Sequence, residues 1–204
     1  MSEFDKLLQI ADTLLGPNGC PWDKEQTFDS LKPYLLEETH ELLEALDLGE
    51  AEKIKEELGD CFYALVFLVK LAEQNGIFTL RQSLLMTAEK LVRRHPHIFG
   101  SIKAASTDEV IRNWEEIKKK EGKKNPIGGI PPTLPALARA QKVILKLRRE
   151  RKEPPRPSQV KSEEDLGERL WSLVEEAESA GFDAESSLRR ACLKREKGWA
   201  SQNS

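Results

Sequence analysis

The stretch PYLLEETHELLEALDLGE (33–50), continued by AEKIKEELGDCFYALVFLVKLAEQN (51–75), decides the fold. In its first half Tyr34, Glu38, Glu41 and Ala45 share one helical stripe flanked by Leu35 and Leu42, and Gly49 ends it. In its second half Ile54, Leu58, Cys61, Leu65, Leu68 and Ala72 recur at helical spacing. Cys61 to Val69 is apolar all round, which predicts a helix at the centre of a bundle. The turn Asp47-Leu48-Gly49-Glu50 is short enough to make the two helices antiparallel neighbours.

Working outward, Phe4, Leu7, Leu8, Ala11, Leu14 and Leu15 form an earlier helical face, stopped by Gly16-Pro17-Asn18-Gly19. Cys20-Pro21-Trp22-Asp23 reads as turn, with helical spacing resuming at Pro33. Thr79 to about Arg94 carries Leu80, Leu84, Ala88 and Leu91 on one face, and His95-Pro96-His97 reads as an extended helix stop. Ser106-Thr107-Asp108-Glu109 has capping-box spacing and opens a helix ending in Lys118-Lys119-Lys120. Nothing reads as a strand. The expectation is an all-α protein of four-helix-bundle type.

Beyond it the composition changes: seven of the eleven prolines fall between Pro126 and Pro157. Glu121 to Pro135 and Arg151 to Lys161 read as linkers around a short basic helix, Ala136 to Glu150. An internal echo follows, with Lys55-Glu56-Glu57-Leu58-Gly59-Asp60 returning as Glu163-Glu164-Asp165-Leu166-Gly167-Glu168. The expected organisation is a helical domain over 1–122, a Pro-rich linker with its helix over 123–161, and a shortened helical second repeat over 162–204.

The 204 residues carry 32 Lys+Arg against 35 Asp+Glu, a net charge of −3. That balance offers nucleic acid no global attraction, so an anionic ligand needs a local cluster of bases. Arg139 to Lys152 is such a basic run, but with Val143, Leu145 and Leu147 it reads as the solvated face of an amphipathic helix, and nucleic acid is not an expected partner. The longest apolar run, Cys61 to Val69, is too short for the ~20 residues of a membrane helix. MSEFDKLL does not read as a signal peptide, and Cys20, Cys61 and Cys192 are scattered without C-x-x-C spacing. Reduced thiols in a cytoplasmic protein are expected.

The chemistry gathers in Glu37-Glu38-Thr39-His40-Glu41 and Glu56-Glu57-Leu58-Gly59-Asp60. Glu38 and Glu41 share a helix face, Glu57 and Asp60 repeat that spacing, and both pairs lean on apolar neighbours. A single such pair reads as a solvated face. Two pairs on adjacent helices would repel by roughly 4 kcal/mol per contact at 4 Å in an effective dielectric near 20, and a divalent cation removes the conflict. All-oxygen ligands select hard ions, Mg²⁺ first and Mn²⁺ second. Lys53 and Lys55 precede the second acidic pair, and Lys90, Arg93 and Arg94 end a helix, where they also balance its dipole. Cation and bases together suit a phosphate chain. Trp114, with Val110 and Ile117 at helical spacing, reads as core or as a nucleobase platform.

At these residues the chain resembles the MazG family of nucleoside triphosphate pyrophosphohydrolases. The resemblance runs through Gly19-Cys20-Pro21-Trp22-Asp23-Lys24-Glu25-Gln26-Thr27, the two acidic motifs, Lys90 to His97, Trp114 to Lys118, Ile130 to Leu137 and Arg139 to Lys142. It implies an all-α enzyme, usually a homodimer, that cleaves a nucleoside triphosphate to monophosphate and pyrophosphate, as in house-cleaning or nucleotide-pool control. It further implies that Glu38, Glu41, Glu57 and Asp60 ligate Mg²⁺, with Mn²⁺ as substitute. Lys53, Lys90 and Arg94 would hold the triphosphate, Trp114 would lie near the nucleotide, and Glu37 or Glu56 would serve as general base. Where long relatives carry a second E-E-x-x-E helix, Arg148 to Pro157 stands here, so the C-terminal copy is expected to serve packing, dimerisation or regulation and to bind no catalytic metal. The competing function is a catalytically weak regulatory module that binds nucleotide or a partner.

Overall fold

The structure, a computed structural model, describes residues 2–122, 125, 127–151, 153–154 and 157–202, which form ten helices and no strand. The protein is all-α. Lys123, Lys124 and Pro126 of the first expected linker, and Lys152, Pro155 and Arg156 of the second, lie outside the described residues.

Capping chemistry sets most boundaries. α1 (Glu3–Leu15) starts where the Ser2 hydroxyl accepts from the Asp5 amide and the Asp5 carboxylate accepts from the Ser2 amide. The stretch expected as turn holds a short helix, α2 (Pro21–Lys24), because Pro21 sits at its first position, where no amide hydrogen is needed. α3 (Phe28–Leu48) begins five residues before Pro33, since Thr27 and Ser30 form a reciprocal capping box. Pro33 therefore lies in the second turn, where it removes one backbone hydrogen bond. Gly49, at φ 69°, supplies the left-handed stop before α4 (Ala51–Gln74).

α5 (Leu80–Arg94) is capped by Thr79 with Gln82. Pro96 then opens a four-residue helix, α6 (Pro96–Phe99), in place of the extended stop expected there. α7 (Thr107–Lys120) realises half of its predicted box: the Ser106 hydroxyl caps the Glu109 amide, while the Glu109 carboxylate takes the Ala105 amide at 2.7 Å. α8 (Ala136–Arg151), α9 (Glu163–Ser179) and α10 (Ala184–Gln202) complete the chain.

Two compact units result, residues 1–103 and 104–204, and α7 falls in the second. In the first, α3 and α1 both pack on α4. Leu15, Leu31, Phe67 and Leu71 form the core, with Tyr63 and Leu68 against it. Lys70 clamps α4 to α1 through Asp12 at 2.8 Å and also pairs with Glu73 on its own helix at 3.4 Å. Burial pulls the Lys70 ammonium down, but the hydrogen bond and charge of Asp12, with Glu73, outweigh it and hold its pKa above the ordinary value.

The expectation of a fully central α4 needs correction. Val66 and Phe67 are buried, but Phe62 and Leu65 stay about half exposed, at 49% and 51%. The run is apolar all round, yet this chain covers only one of its sides.

In the second unit α10 packs on α8. Ile127, Ile130 and Val143 make the core, joined by Leu134, Leu147 and Trp199. Arg139, expected on a solvated face, is instead buried: its guanidinium donates to both carboxylate oxygens of Glu196, at 3.1 and 2.8 Å, and to the Pro131 carbonyl. Leu145 turns outward. In α9 the echoed apolar residues Leu166, Trp171 and Val174 are exposed. The Asp165 carboxylate accepts from the Lys161 amide and from Arg169. Among the described residues, no helix is long and apolar enough to cross a membrane.

Candidate metal centre

The hairpin of α3 and α4 brings acids from both helices to one place. One carboxylate oxygen from each of Glu38, Glu41 and Glu57 lies within 4.8 Å of the other two. Glu38 and Glu57 are half-buried, whereas Glu41 and Asp60 are exposed, so only one member of each pair turns inward as the sequence pattern suggests. The reason is geometric: residues three apart on a helix share a face but are offset by about 60°, so both can reach one site while only one packs against the partner helix. Asp60 stands outside the trio of oxygens, but its charge acts on Glu38 and it lines the same pocket as Glu38. Glu37 and Glu56 are exposed neighbours of the cluster.

The electrostatics follow from this crowding. Burial first, then the charges of Asp60, Glu41, Glu57 and Glu37, raise the Glu38 pKa above the ordinary glutamate value. For Glu57 the same direction arises from desolvation, Glu41, Glu56 and Asp60, opposed by Lys53. The thiol of Cys61 donates to the Glu38 carbonyl at 3.2 Å, and burial with the nearby acids pushes its pKa up. Cys61 is not among the residues whose ligand atoms converge, so the donor set is oxygen alone. Three converging, mutually repelling carboxylates fit a hard divalent cation.

The bases sit as follows. Lys53 pairs with Glu44 at 3.0 Å across the hairpin turn, and that hydrogen bond is the main reason its pKa is raised. Lys55 pairs with Glu52. Lys90 is half-buried and Arg94 buried on α5, in the same unit as the acids. Trp114 is half-buried on α7, in the second unit.

Beside the acids lies a pocket of about 160 Å³ that the sequence pattern alone does not reveal. Its walls include Trp22, Asp23, Tyr34, Tyr63 and Phe67, and Glu38 and Asp60 reach its edge. Trp22 meets Tyr34 edge-to-face at 5.6 Å between ring centroids, and Tyr63 meets Phe67 similarly at 6.0 Å. The available signal is Trp22-Asp23 following a proline that can begin a helix, with Tyr34 heading the acidic stripe.

Comparison with known proteins gives a consistent pattern. Residues 26–99 match the MazG nucleotide pyrophosphohydrolase domain. A protein of Thermotoga maritima named nucleoside triphosphate pyrophosphohydrolase/pyrophosphatase MazG is 38% identical over 94% of this chain and 82% of its own length. The nucleoside triphosphate pyrophosphohydrolase of Escherichia coli K12 is 36% identical over 94% of this chain and 83% of its own. The crystal structure of a MazG-related protein from Thermotoga maritima superposes with a TM-score of 0.51 at 29% identity, covering 56% of this chain and 98% of that one.

Proposed function

The chain belongs to the MazG nucleotide pyrophosphohydrolase family, and from that premise we propose that it hydrolyses nucleoside triphosphates, NTP and dNTP, to nucleoside monophosphate and pyrophosphate with Mg²⁺. Mn²⁺ is the expected substitute. The observation that carries this reading is the convergence of Glu38, Glu41 and Glu57 oxygens within 4.8 Å.

Glu38, Glu41 and Glu57 would hold the cation, with Asp60, which lines the same pocket as Glu38, as the fourth ligand. When bound, Mg²⁺ supplies Lewis-acid polarisation at the α-phosphoryl group and charge for the departing pyrophosphate. Lys53, Lys90 and Arg94 neutralise triphosphate oxygens. Glu37 or Glu56, both exposed beside the cluster, takes the proton of the attacking water. Water oxygen bonds to the α-phosphorus as the bond to the bridging β-phosphate oxygen breaks in line.

The exposed apolar faces of this hairpin support a homodimer. Leu36 and Leu43 on α3, with Leu58, Phe62 and Leu65 on α4, are each at least 46% exposed, a grouping that a second copy would cover. The scattered spacing of Cys20, Cys61 and Cys192, without a C-x-x-C pair, supports a reducing, cytoplasmic setting. Clearing unwanted nucleotides, or controlling their pool, is the role in keeping with this chemistry.

The test is pyrophosphate release, as opposed to orthophosphate, from a panel of NTPs and dNTPs in Mg²⁺. The Glu38→Ala, Glu41→Ala double variant is expected to lose at least a hundredfold in kcat/KM. Full activity in that variant refutes the ligand assignment, and nucleotide binding without turnover in the wild type supports a regulatory module instead.

A further inference from the structure

Three contacts step along the α3–α4 hairpin toward its turn. The Cys61 thiol meets the Glu38 carbonyl at 3.2 Å, then Glu41 and Glu57 face each other in the acid trio. One turn further, Lys53 pairs with Glu44 at 3.0 Å. The third step thus carries an ion pair where the second carries two repelling acids. Lys53 is the more buried member, its side chain 33% exposed against 64% for Glu44, and among the described residues Glu44 is its only ion-pair partner.

A closer partner in sequence is passed over. Lys53 and Glu57 lie four apart on α4, the spacing at which opposite charges pair on one helix face. Each acts on the other through its charge, yet the ammonium stays on Glu44. A lysine seated on Glu57 would be a built-in cation. It would occupy a carboxylate oxygen of the trio and set positive charge where a divalent ion belongs.

Resting on the cation reading above, we propose that Glu44 is a positioning residue: it holds the Lys53 ammonium off Glu57 and so keeps the three carboxylates open to the divalent ion. Lys53 is attached one helical turn, about 5 Å along α4, from Glu57. An ammonium has three N–H donors, so one given to Glu44 leaves two for phosphate oxygens. Glu44 itself touches neither cation nor phosphate and acts through Lys53.

Two measurements test this. The first is calorimetric titration of Mg²⁺ into the full chain, comparing wild type, Glu44→Gln, Lys53→Met and the double variant. Glu44→Gln is expected to weaken Mg²⁺ by roughly two- to fivefold, the worth of a partly exposed ion pair between the released lysine and Glu57. Adding Lys53→Met should restore the affinity, since no lysine remains to swing across. Wild-type affinity in Glu44→Gln, or a loss equally large without Lys53, overturns the proposal, because Glu44 would then be a surface staple or a plain contributor of charge. The second needs no metal. In EDTA, urea unfolding of Lys53→Met, Glu57→Gln and their double gives the coupling between those two side chains, expected to be small with Glu44 in place and larger with Glu44→Gln. Should wild type take up no Mg²⁺, the cation reading of the trio fails and this coupling alone decides the role of Glu44: a value that Glu44→Gln leaves unchanged refutes it.

Discussion

Replacing Glu38 with glutamine should stabilise the protein in chelator and destabilise it, relative to wild type, in Mg²⁺. Glu38 is half-buried and faces Glu41 and Glu57 with oxygens no more than 4.8 Å apart. At that outer limit, two like charges repel by roughly 0.9 kcal/mol in water and 3.5 kcal/mol at an effective dielectric of 20. Glu41 is exposed, so the aqueous end governs. Relief of about 1 kcal/mol corresponds to a rise in Tm of roughly 4–8 °C for a domain of 60–100 residues. With Mg²⁺ at a hundred times the wild-type Kd, wild type gains about 2.7 kcal/mol. A variant bound a hundredfold more weakly gains only about 0.4 kcal/mol. The order of stability therefore reverses, with wild type ahead by about 1.3 kcal/mol. Thermal melts of both proteins in EDTA and across a Mg²⁺ titration read this crossing. A variant that melts below wild type in EDTA refutes the reasoning, because Glu38 would then be held by structural bonds and not by an ion.

Three other outcomes are expected. Glu38 binds its proton more tightly folded than unfolded, since its folded pKa is raised. In chelator, stability should thus grow as pH falls from neutral toward the ordinary glutamate value and decline as pH rises through the raised one, while stabilisation by Mg²⁺ runs the opposite way; melts across that window check the sign. Arg139→Ala leaves Glu196 with an unpaired, largely buried charge and should cost about 3–5 kcal/mol in urea unfolding of the second unit. Phe62→Glu with Leu65→Glu puts charge on the exposed face of α4 and should convert a dimer to monomer in light scattering, with helical content unchanged by circular dichroism.

The hairpin of α3 and α4 was legible because its signals are local. Apolar residues recur at helical spacing, Gly49 stops the first helix in a left-handed conformation, and a short turn forces antiparallel return. The start of α3 was not, because Pro33 is the louder punctuation although Thr27 and Ser30 supply the cap. Nor does an all-round apolar run reveal whether its partner is the same chain, so Phe62 and Leu65 emerge exposed. Arg139 reads as solvated until Glu196, far along the chain, is found beside it. The pocket is the extreme case. Trp22 and Phe67 come from different helices, and no spacing rule joins them.

Glu38, Glu41 and Glu57 all lie on one helical hairpin, within twenty consecutive residues. Contacts so close in sequence form early and need little loop closure, so the cation cradle can assemble before the rest of the domain is in place. The same compactness makes it a cassette: one segment carries all three converging carboxylates, and altering that segment removes them. The C-terminal echo shows the contrast: Glu163 to Glu168 repeats the second acidic motif, but the stretch before it, Arg148 to Pro157, is basic and proline-rich and carries no E-E-x-x-E.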